Sequence, residues 1–261
     1  MKLDSQQLDS WTNDGYLILR NVLQKDVRKD VLAESMQAWR KVKGEFQDDA
    51  SWLQNALLPN IHHHSPAVCR YYFDGPLVQI AEQLIGPNIK GATSQLTFKL
   101  RGNTQTFGWH QDNGYGELHP ANAISTLTAL DNVDQNNGCL WAIPGSHMEG
   151  QIDIADVYSA EDKAADRPLD MSIQNASEAV PITMQAGDAL ILHCHLLHRS
   201  EGNHSRDRDR RILFMRYADA DAVERYNDDA PRLGPLLRGI SRFNQVTDFE
   251  QELWNFDSGQ A

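Results

Sequence analysis

The spacing of hydrophobic residues divides the chain into a helical first part and a strand-rich second part. Over residues 26–43, apolar positions recur every three or four residues with charged residues between them, which predicts an amphipathic helix. Residues 76–85 repeat this pattern and are followed by a Gly-Pro pair, which ends a helix. We therefore expect residues 1 to about 88 to be mainly α-helical.

From about residue 89 the hydrophobic period changes to two. Short runs rich in apolar and β-branched residues alternate with turn residues, such as Asn136-Asn137-Gly138. The predicted strands cover residues 92–100, 123–130, 180–184, 188–193 and 211–217. Many short strands after a helical segment predict a mainly β fold with flanking helices, in which a double-stranded β-helix (jelly-roll) core spans about 89–220.

One stretch, residues 147–179, follows neither period. It is acidic and polar and lies between two predicted strands, so we interpret it as an insertion, either a lid or a surface excursion. The residues from about 221 to 261 form a C-terminal extension. No internal repeat or low-complexity linker divides the chain, which favours a single domain over residues 1–261.

Composition and charge narrow the possible functions. The 261 residues are 41% hydrophobic and 23% charged, as in ordinary globular proteins. A net charge of −12 disfavours a nucleic-acid partner, because phosphate binding draws on basic surface. We find no apolar run that could span a bilayer, no signal peptide at the amino terminus and only three cysteines, without metal-binding spacing. We therefore expect a cytoplasmic protein without a membrane partner, whose oligomeric state the sequence does not indicate.

A His-x-Asp pair carries the first candidate chemistry. In a strand, residues i and i+2 point to the same side, so His110 and Asp112 can reach one ion while the residue between them faces away. Such a pair and one distant His form a facial triad, which binds Fe(II) and leaves coordination positions open. For the third ligand, the spacing alone leaves His193, His195 and His198 as alternatives.

A run of three histidines, His62-His63-His64, is a weaker metal candidate. Consecutive residues cannot all face one ion, and the prolines at positions 59 and 66 favour a loop. We therefore do not expect this run to bind a metal.

Four blocks follow one another in the second half of the chain. They are Trp109-His110-Gln111-Asp112, the stretch from Asn136-Asn137-Gly138 to Pro144-Gly145-Ser146-His147, Gly187-Asp188, and His198-Arg199-Ser200-Glu201-Gly202-Asn203 with Arg210. Together they resemble the phytanoyl-CoA dioxygenase family of Fe(II)- and 2-oxoglutarate-dependent oxygenases. The resemblance runs from about residue 8 to 217 and implies a jelly-roll enzyme.

The resemblance also implies the metal ligands. It makes His110, Asp112 and His198 the iron ligands and catalytic residues. In the family pattern, the distal His stands two residues before a Ser and five before an Asn, which His198 satisfies through Ser200 and Asn203. The cofactors implied are Fe(II), 2-oxoglutarate as co-substrate and O2.

For the co-substrate, the resemblance implies an Arg on the strand after the distal His. A guanidinium is permanently charged and presents a planar fork to the far carboxylate of 2-oxoglutarate. We prefer Arg210 to Arg211, although the family usually has this Arg eleven residues after the His, where this chain has Asp209. Ser200 and Gln95 resemble further co-substrate contacts.

The implied reaction hydroxylates an unactivated carbon of a small polar metabolite and releases succinate and CO2, with desaturation or cyclisation as alternatives. The presence of Asp112 favours hydroxylation over halogenation. We expect Trp109, Asn113, Tyr115 and Trp141 to line the substrate site, which would suit a quaternary amine or an aminophosphonate. Two other functions fit the residues, a Zn(II)-dependent hydrolase with the same triad and a non-catalytic jelly-roll ligand-binding protein.

Overall fold

A computed structural model of the chain describes residues 1–44, 57–115, 118–152 and 176–253. Its helices cluster in the first part of the chain, as predicted. Among the described residues they are α1 (Ser5–Asp14), α2 (Lys25–Lys43), α3 (Pro66–Asp74), α4 (Pro76–Leu84) and, in the C-terminal part, the short α5 (Asn244–Thr247).

Local capping signals account for the two N-terminal helices that the hydrophobic period did not predict. α1 begins with a capping box, in which Asp4 accepts from the backbone N–H of Gln7 at 2.8 Å and the Gln7 side chain accepts from the N–H of Asp4 at 2.9 Å. α3 begins after Ser65, whose hydroxyl accepts from the N–H of Val68 at 3.1 Å, and it has proline at its first position.

The strands lie mainly in the second part of the chain. In chain order, those of the described residues are β1 (Tyr16–Leu19), β2 (Leu57–Pro59), β3 (Ile89–Lys99), β4 (Phe107–His110), β5 (Leu118–His119), β6 (Ala123–Ala129), β7 (Leu140–Ala142), β8 (Val180–Ile182), β9 (Ala189–His193), β10 (His198–Ser200), β11 (Arg210–Asp219), β12 (Val223–Glu224), β13 (Ala230–Pro231) and β14 (Leu236–Arg238).

These strands form two main antiparallel sheets. The large sheet has the order β1-β9-β6-β11-β3-β14, with β2 also paired to β3, and the small sheet has the order β4-β10-β7-β8. From β3 to β11 the chain passes repeatedly between the two sheets, and β13-β12-β5 form a further small sheet beside them. The predicted fold class, a jelly-roll core with helices in the N-terminal part, is therefore confirmed.

Alternation along the strands gives the large sheet two apolar faces. On one face, Leu96 and Phe98 of β3 belong to the core that includes the N-terminal helices, and the rings of Phe98 and Trp39 of α2 are 5.5 Å apart. On the other face, Ile212 of β11 packs in a second core with Leu140 of β7, from the small sheet. Each fully buried aliphatic side chain contributes about 1.5–3 kcal/mol to stability. The side chains of His110 and His198 lie in this space between the two sheets.

Several features differ from the predicted elements or extend them. β1 and β2, in the helical part, add to the large sheet, and the C-terminal extension contributes β12, β13, β14 and α5. The histidine run lies in a 3-10 helix, Ile61–His63, and not in a loop. Of the insertion at 147–179, residues 153–175 lie outside the described residues, and with them the interpretation as a lid. Among the described residues, none of the helices is both long and apolar enough to span a membrane.

Candidate metal centre

The pairing of β4 and β10 brings two histidines together. His198 is in antiparallel register with His110, and the centroids of their rings are 4.1 Å apart. On its other side His198 is in register with Ala142 of β7, which belongs to the core between the sheets. Both imidazoles are buried and therefore face the space between the sheets.

The carboxylate of Asp112 completes this group. β4 ends at His110, and Asp112 begins a 3-10 helix, Asp112–Tyr115, so a turn and not a continued strand directs the carboxylate. Its Oδ1 is 3.8 Å from Nε2 of His110 and 3.6 Å from Nε2 of His198. The three potential ligand atoms all lie within 4.8 Å of one another.

Backbone carbonyls orient both imidazoles. Nδ1 of His110 lies 2.8 Å from the carbonyl oxygen of Gly108, and Nδ1 of His198 lies 3.0 Å from that of Leu196. A carbonyl oxygen only accepts hydrogen bonds, so each Nδ1 carries the hydrogen and each Nε2 presents its lone pair. This is the outer hydrogen bonding that metal-binding histidines usually have.

Charge states at the centre also suit a cation. Burial, reinforced by the nearby His198, lowers the pKa of His110 to about 3, so this ring is neutral at pH 7. Burial alone would raise the pKa of Asp112, but His198, His110, the nearby hydroxyl of Ser125 and Arg216 bring the pKa below its ordinary value. The centre therefore combines the neutral imidazole of His110 with an ionised carboxylate.

One atom of the centre has no protein partner. Oδ2 of Asp112 is buried and makes no hydrogen bond to the described residues, and the neighbouring hydroxyl of Ser125 is also outside hydrogen-bond geometry. Leaving a buried acceptor without a donor costs about 1–3 kcal/mol or more. A divalent cation would satisfy it. Two imidazoles and one carboxylate on one side of an ion are the ligands of a non-haem Fe(II) site with open positions, so the residues present fit Fe(II).

A pair of basic side chains, buried Arg210 and half-buried Lys99, lies between the sheets at the same end of β3 and β11. Lys99 and Arg210 are directly paired across these strands. Lys99 donates to the Ser200 hydroxyl at 2.8 Å and to the carbonyl oxygen of Glu201, and Arg210 donates to the carbonyl oxygen of Gly138 at 2.6 Å. Nε of Arg210 is buried and has no partner among the described residues. Within that part of the chain, we find no carboxylate in an ion pair with either cation.

Burial disfavours the charged forms of Lys99 and Arg210 as long as no anion is bound beside them. Burial, and then the charge of Arg210, lowers the pKa of Lys99 to about 6. Burial lowers the pKa of Arg210 to about 10, so the guanidinium is still charged at pH 7. An entering carboxylate would favour the charged form of both side chains, and the Ser200 hydroxyl is positioned beside Lys99.

The neighbouring arginine is already paired. Arg211 points to the opposite face of β11, where its Nε and Nη2 donate to the two carboxylate oxygens of Asp131 at 2.7 and 2.6 Å. Gln95, four residues before Lys99 in β3, lies on the same face as Lys99 and is half-buried. The residues we expected to contact 2-oxoglutarate therefore share the face between the sheets, whereas Arg211 does not.

The two tryptophans expected at the substrate site lie on the face of the small sheet opposite His110 and His198. Trp109 and Arg199 alternate with the two histidines along β4 and β10, so they lie on the other face of the small sheet. The Arg199 guanidinium carbon is 5.2 Å from the ring centroid of Trp109 and 5.9 Å from that of Trp141. Strand alternation directs both tryptophans away from His110, and their contact with a substrate stays a prediction.

Of the other residues expected at the substrate site, Asn113 is fully buried behind the triad. Its Oδ1 accepts from the backbone N–H of Leu118 at 3.1 Å and from Arg216 at 2.6 Å. Its Nδ2 donates to the side chain of Gln151 at 2.6 Å. The side chain of Tyr115 lies outside the part of the chain that the structure describes.

Two buried residues near the centre were missed from the sequence. Gln111 donates to the carbonyl oxygens of His195 at 2.7 Å and Gly150 at 2.9 Å, and accepts from the N–H of Ile152 at 2.9 Å. It thereby fixes the turn that carries Asp112. Arg216 lies on the same face of β11 as Arg210, a placement that the period of two along this strand would have indicated.

His193 and His195, the alternative candidates for the third ligand, form a separate group with Cys194. Potential ligand atoms of His193, Cys194 and His195 also lie within 4.8 Å of one another. However, the backbone N–H of His195 donates to Nδ1 of His193 at 3.1 Å, and the Cys194 thiol donates to the carbonyl oxygen of Ala121 at 3.3 Å. Internal hydrogen bonds thus account for two of these three side chains.

Comparison with known proteins gives one family. The family model described as phytanoyl-CoA dioxygenase (PhyH) matches residues 11–212. Phytanoyl-CoA dioxygenase 1 of Oryza sativa subsp. japonica is 27% identical over 164 residues, which are 63% of this chain and 57% of that protein. This chain therefore spans little more than half the length of that relative.

Two further matches cover most of both chains. Methylphosphonate hydroxylase of Gimesia maris is 26% identical over 239 residues, which are 88% of this chain and 87% of that protein. Among solved structures, EctD from S. alaskensis with bound Fe has a TM-score of 0.70 at 21% identity and covers 92% of this chain and 88% of its own. The match to EctD shows that this chain and EctD share a fold.

Proposed function

This chain belongs to the phytanoyl-CoA dioxygenase family, and from that premise we propose that it is an Fe(II)- and 2-oxoglutarate-dependent dioxygenase. His110, Asp112 and His198 are the proposed iron ligands. The observation that supports this most is the convergence of two Nε2 lone pairs on a buried carboxylate whose second oxygen has no partner among the described residues. The reaction is hydroxylation of a small molecule, coupled to conversion of 2-oxoglutarate to succinate and CO2.

The protein itself orients the proposed iron ligands and excludes water from the reacting atoms. Bound Fe(II), together with 2-oxoglutarate and O2, supplies the oxidising power needed to remove hydrogen from an unactivated carbon. The backbone carbonyls of Gly108 and Leu196 hold the two imidazoles in one tautomer, so the ligand set is arranged before the ion binds. Burial of all three ligands keeps bulk water away from the reacting atoms.

Arg210, Lys99 and Ser200 are proposed to bind the far carboxylate of 2-oxoglutarate. The guanidinium offers two parallel donors, the ammonium adds a second charge, and the hydroxyl adds a neutral donor. Because Arg210 is buried and Lys99 is half-buried, the attraction of their charged forms for a carboxylate is stronger than it would be at the surface. Gln95 is the proposed contact nearer the iron, since it shares their face of β3.

We propose that the primary substrate carries an anionic group that binds near Arg216. Arg216 is buried on the face of β11 that carries Arg210, six residues further along, a separation of roughly 20 Å at about 3.3 Å per residue. It donates to Oδ1 of Asn113, the residue after Asp112, at 2.6 Å, so it lies beside the triad and away from Arg210. A relative that is a methylphosphonate hydroxylase agrees with a small phosphonate or carboxylate.

This placement favours an aminophosphonate over a quaternary amine. A quaternary amine needs free aromatic faces, and the guanidinium of Arg199 already lies over Trp109 and Trp141. These rings also lie on the outer face of the small sheet.

The test is succinate release from 2-oxoglutarate in the presence of Fe(II) and a panel of small metabolites. We expect stimulation by small phosphonates or carboxylates. With the stimulating compound, Arg216→Gln should raise KM for that compound at least tenfold and leave KM for 2-oxoglutarate within twofold of wild type, in line with loss of about 1.4 kcal/mol or more of a charge-assisted contact.

Arg199→Gln is the matched control, because it removes an arginine from the other face of the small sheet. Stimulation by quaternary amines alone, or an equal effect of Arg199→Gln on KM, would contradict the proposed substrate class. No succinate from any compound, together with no binding of 2-oxoglutarate, would contradict the dioxygenase assignment.

A further inference from the structure

A second group of potential metal ligands lies outside the proposed active site. Nε2 of His62 is 3.0 Å from Oε2 of Glu250, and Nε2 of His63 is 2.7 Å from Oε1 of the same carboxylate. The potential ligand atoms of the three residues lie within 4.8 Å of one another. We propose that His62, His63 and Glu250 form a separate Zn(II) site.

From the sequence we did not expect His62-His63-His64 to bind a metal, because consecutive residues cannot all face one ion. The structure brings two of the three histidines together and leaves His64 out of the group. Asn60 has φ of +51°, and the 3-10 helix that follows it turns the rings of His62 and His63 toward one carboxylate, with centroids 4.2 Å apart. The third ligand comes from almost 190 residues further along the chain, where no local pattern could indicate it.

His62 is held as a metal-binding histidine is held. Its side chain is only 4% exposed and packs against the ring of Tyr72, with centroids 5.1 Å apart. Its Nδ1 is 2.5 Å from the hydroxyl of Ser94, which fixes the ring and leaves Nε2 directed at Glu250. Such an outer hydrogen bond orients the ligand and increases its basicity.

The donor set and its exposure suit Zn(II). Two imidazole nitrogens and one carboxylate oxygen leave the fourth position of a tetrahedral Zn(II) site for water. The side chain of His63 is 37% exposed and that of Glu250 is 13% exposed, so an ion can enter from solvent. Without a metal, the same contacts need a hydrogen on each Nε2. When a metal ion binds, each neutral imidazole keeps its one hydrogen on Nδ1, and that of His62 is donated to the Ser94 hydroxyl. Both Nε2 lone pairs then bind the ion together with Glu250.

This site is distinct from the triad. Ser94 and Gln95 are neighbours in β3 and point to opposite faces of the large sheet, so His62 lies on the helix side and the proposed iron site lies between the sheets. Glu250 has φ of +53°, a backbone conformation that glutamate rarely adopts and that is kept where surrounding contacts determine it. Zn(II) here would tie the C-terminal part of the chain to the segment before α3.

The test uses a protein in which the triad is disabled, so its outcome does not depend on the proposed iron chemistry. Metal-free Asp112→Ala is titrated with Zn(II) by calorimetry, and bound zinc is counted after equilibrium dialysis. We expect one equivalent of Zn(II) and a higher Tm in its presence. Adding Glu250→Gln, which keeps the size and hydrogen-bonding ability of the side chain, should remove both effects.

Two further variants, each in the Asp112→Ala protein, sharpen the test. Ser94→Ala should weaken Zn(II) binding about ten- to a hundredfold, as expected for loss of an outer hydrogen bond to a ligand. Glu252→Gln, at an exposed neighbouring position, is the matched control and should leave affinity unchanged. If a Glu250 variant fails to fold, His63→Gln at the exposed ligand gives the same test. No bound Zn(II) in Asp112→Ala, or binding unchanged by Glu250→Gln and His63→Gln, would show a hydrogen-bonded cluster only.

Discussion

Replacing Arg210 by alanine should selectively weaken the binding of 2-oxoglutarate. The guanidinium is 5% exposed and faces the space between the sheets, where it would make two parallel charge-assisted hydrogen bonds to the far carboxylate. Each such bond contributes about 1.5–3 kcal/mol, and truncating one partner of a buried charge pair costs about 2–5 kcal/mol. Lys99 and Ser200 still contact the carboxylate in the variant, so we expect a loss of about 3 kcal/mol. That loss corresponds to a roughly hundredfold higher Kd.

Arg211→Ala is the matched control at the adjacent position. Arg211 is paired with Asp131 on the other face of β11, so its loss should lower stability by about 1 kcal/mol and leave the Kd for 2-oxoglutarate within twofold. Arg210→Lys keeps the charge without the fork and should fall between wild type and Arg210→Ala. The Kd is measured by calorimetry on the Mn(II)-loaded protein, and circular dichroism checks the fold. Equal Kd values for wild type and Arg210→Ala, or an equal loss in Arg211→Ala, would refute the assignment.

Three other predictions concern residues around the centre. Lys99 should take up a proton when 2-oxoglutarate binds, because its pKa of about 6 rises beside a carboxylate. The affinity for 2-oxoglutarate should therefore fall as the pH increases above about 6. In calorimetry, the part of the binding heat that depends on the buffer should vanish in Lys99→Met. Gln111→Ala should lower the free energy of unfolding, measured in urea, by about 2–4 kcal/mol, because three backbone groups lose their hydrogen-bond partner. The control Gln105→Ala, at an exposed position, should change the free energy of unfolding by less than about 0.5 kcal/mol. Gly138→Ala should cost more than about 1 kcal/mol in the same assay, because φ is +85° and a Cβ would lie 2.6 Å from the carbonyl oxygen of Glu201; a stability equal to wild type would contradict this geometry.

The sequence predicted those parts of the fold whose side chains follow a regular period. The helices at 26–43 and 76–85 agree with α2 and α4 within a residue, and the long strand β3 was found because apolar residues such as Leu96 and Phe98 alternate along it. Of the short strands of the small sheet, β8 falls within the predicted strand at 180–184, whereas β7 and β10 were not found. β10 has three residues, His198–Ser200, and its position depends on pairing with β4 and β7, which are remote in sequence.

At the candidate site, too, the sequence did not predict what depends on contacts between distant segments. His110 and Asp112 were singled out by spacing, and the choice of His198 needed the resemblance to a family, because three histidines stand within six positions. The tryptophans at 109 and 141 were placed by proximity in sequence to the ligands, yet alternation turns them to the outer face of the small sheet. Contacts between distant segments, such as those of Gln111, leave no periodic signal in the sequence.

The iron centre is tested most directly by the visible absorption of the protein with Fe(II) and 2-oxoglutarate under anaerobic conditions. Chelation of Fe(II) by the keto acid gives a charge-transfer band, which should appear in wild type only when both are present. The band should be lost in His110→Ala and Asp112→Ala and kept in His195→Ala, whose side chain is outside the triad. No band in wild type, or a band that survives in Asp112→Ala and disappears in His195→Ala, would contradict the assignment of His110, Asp112 and His198 as the iron site.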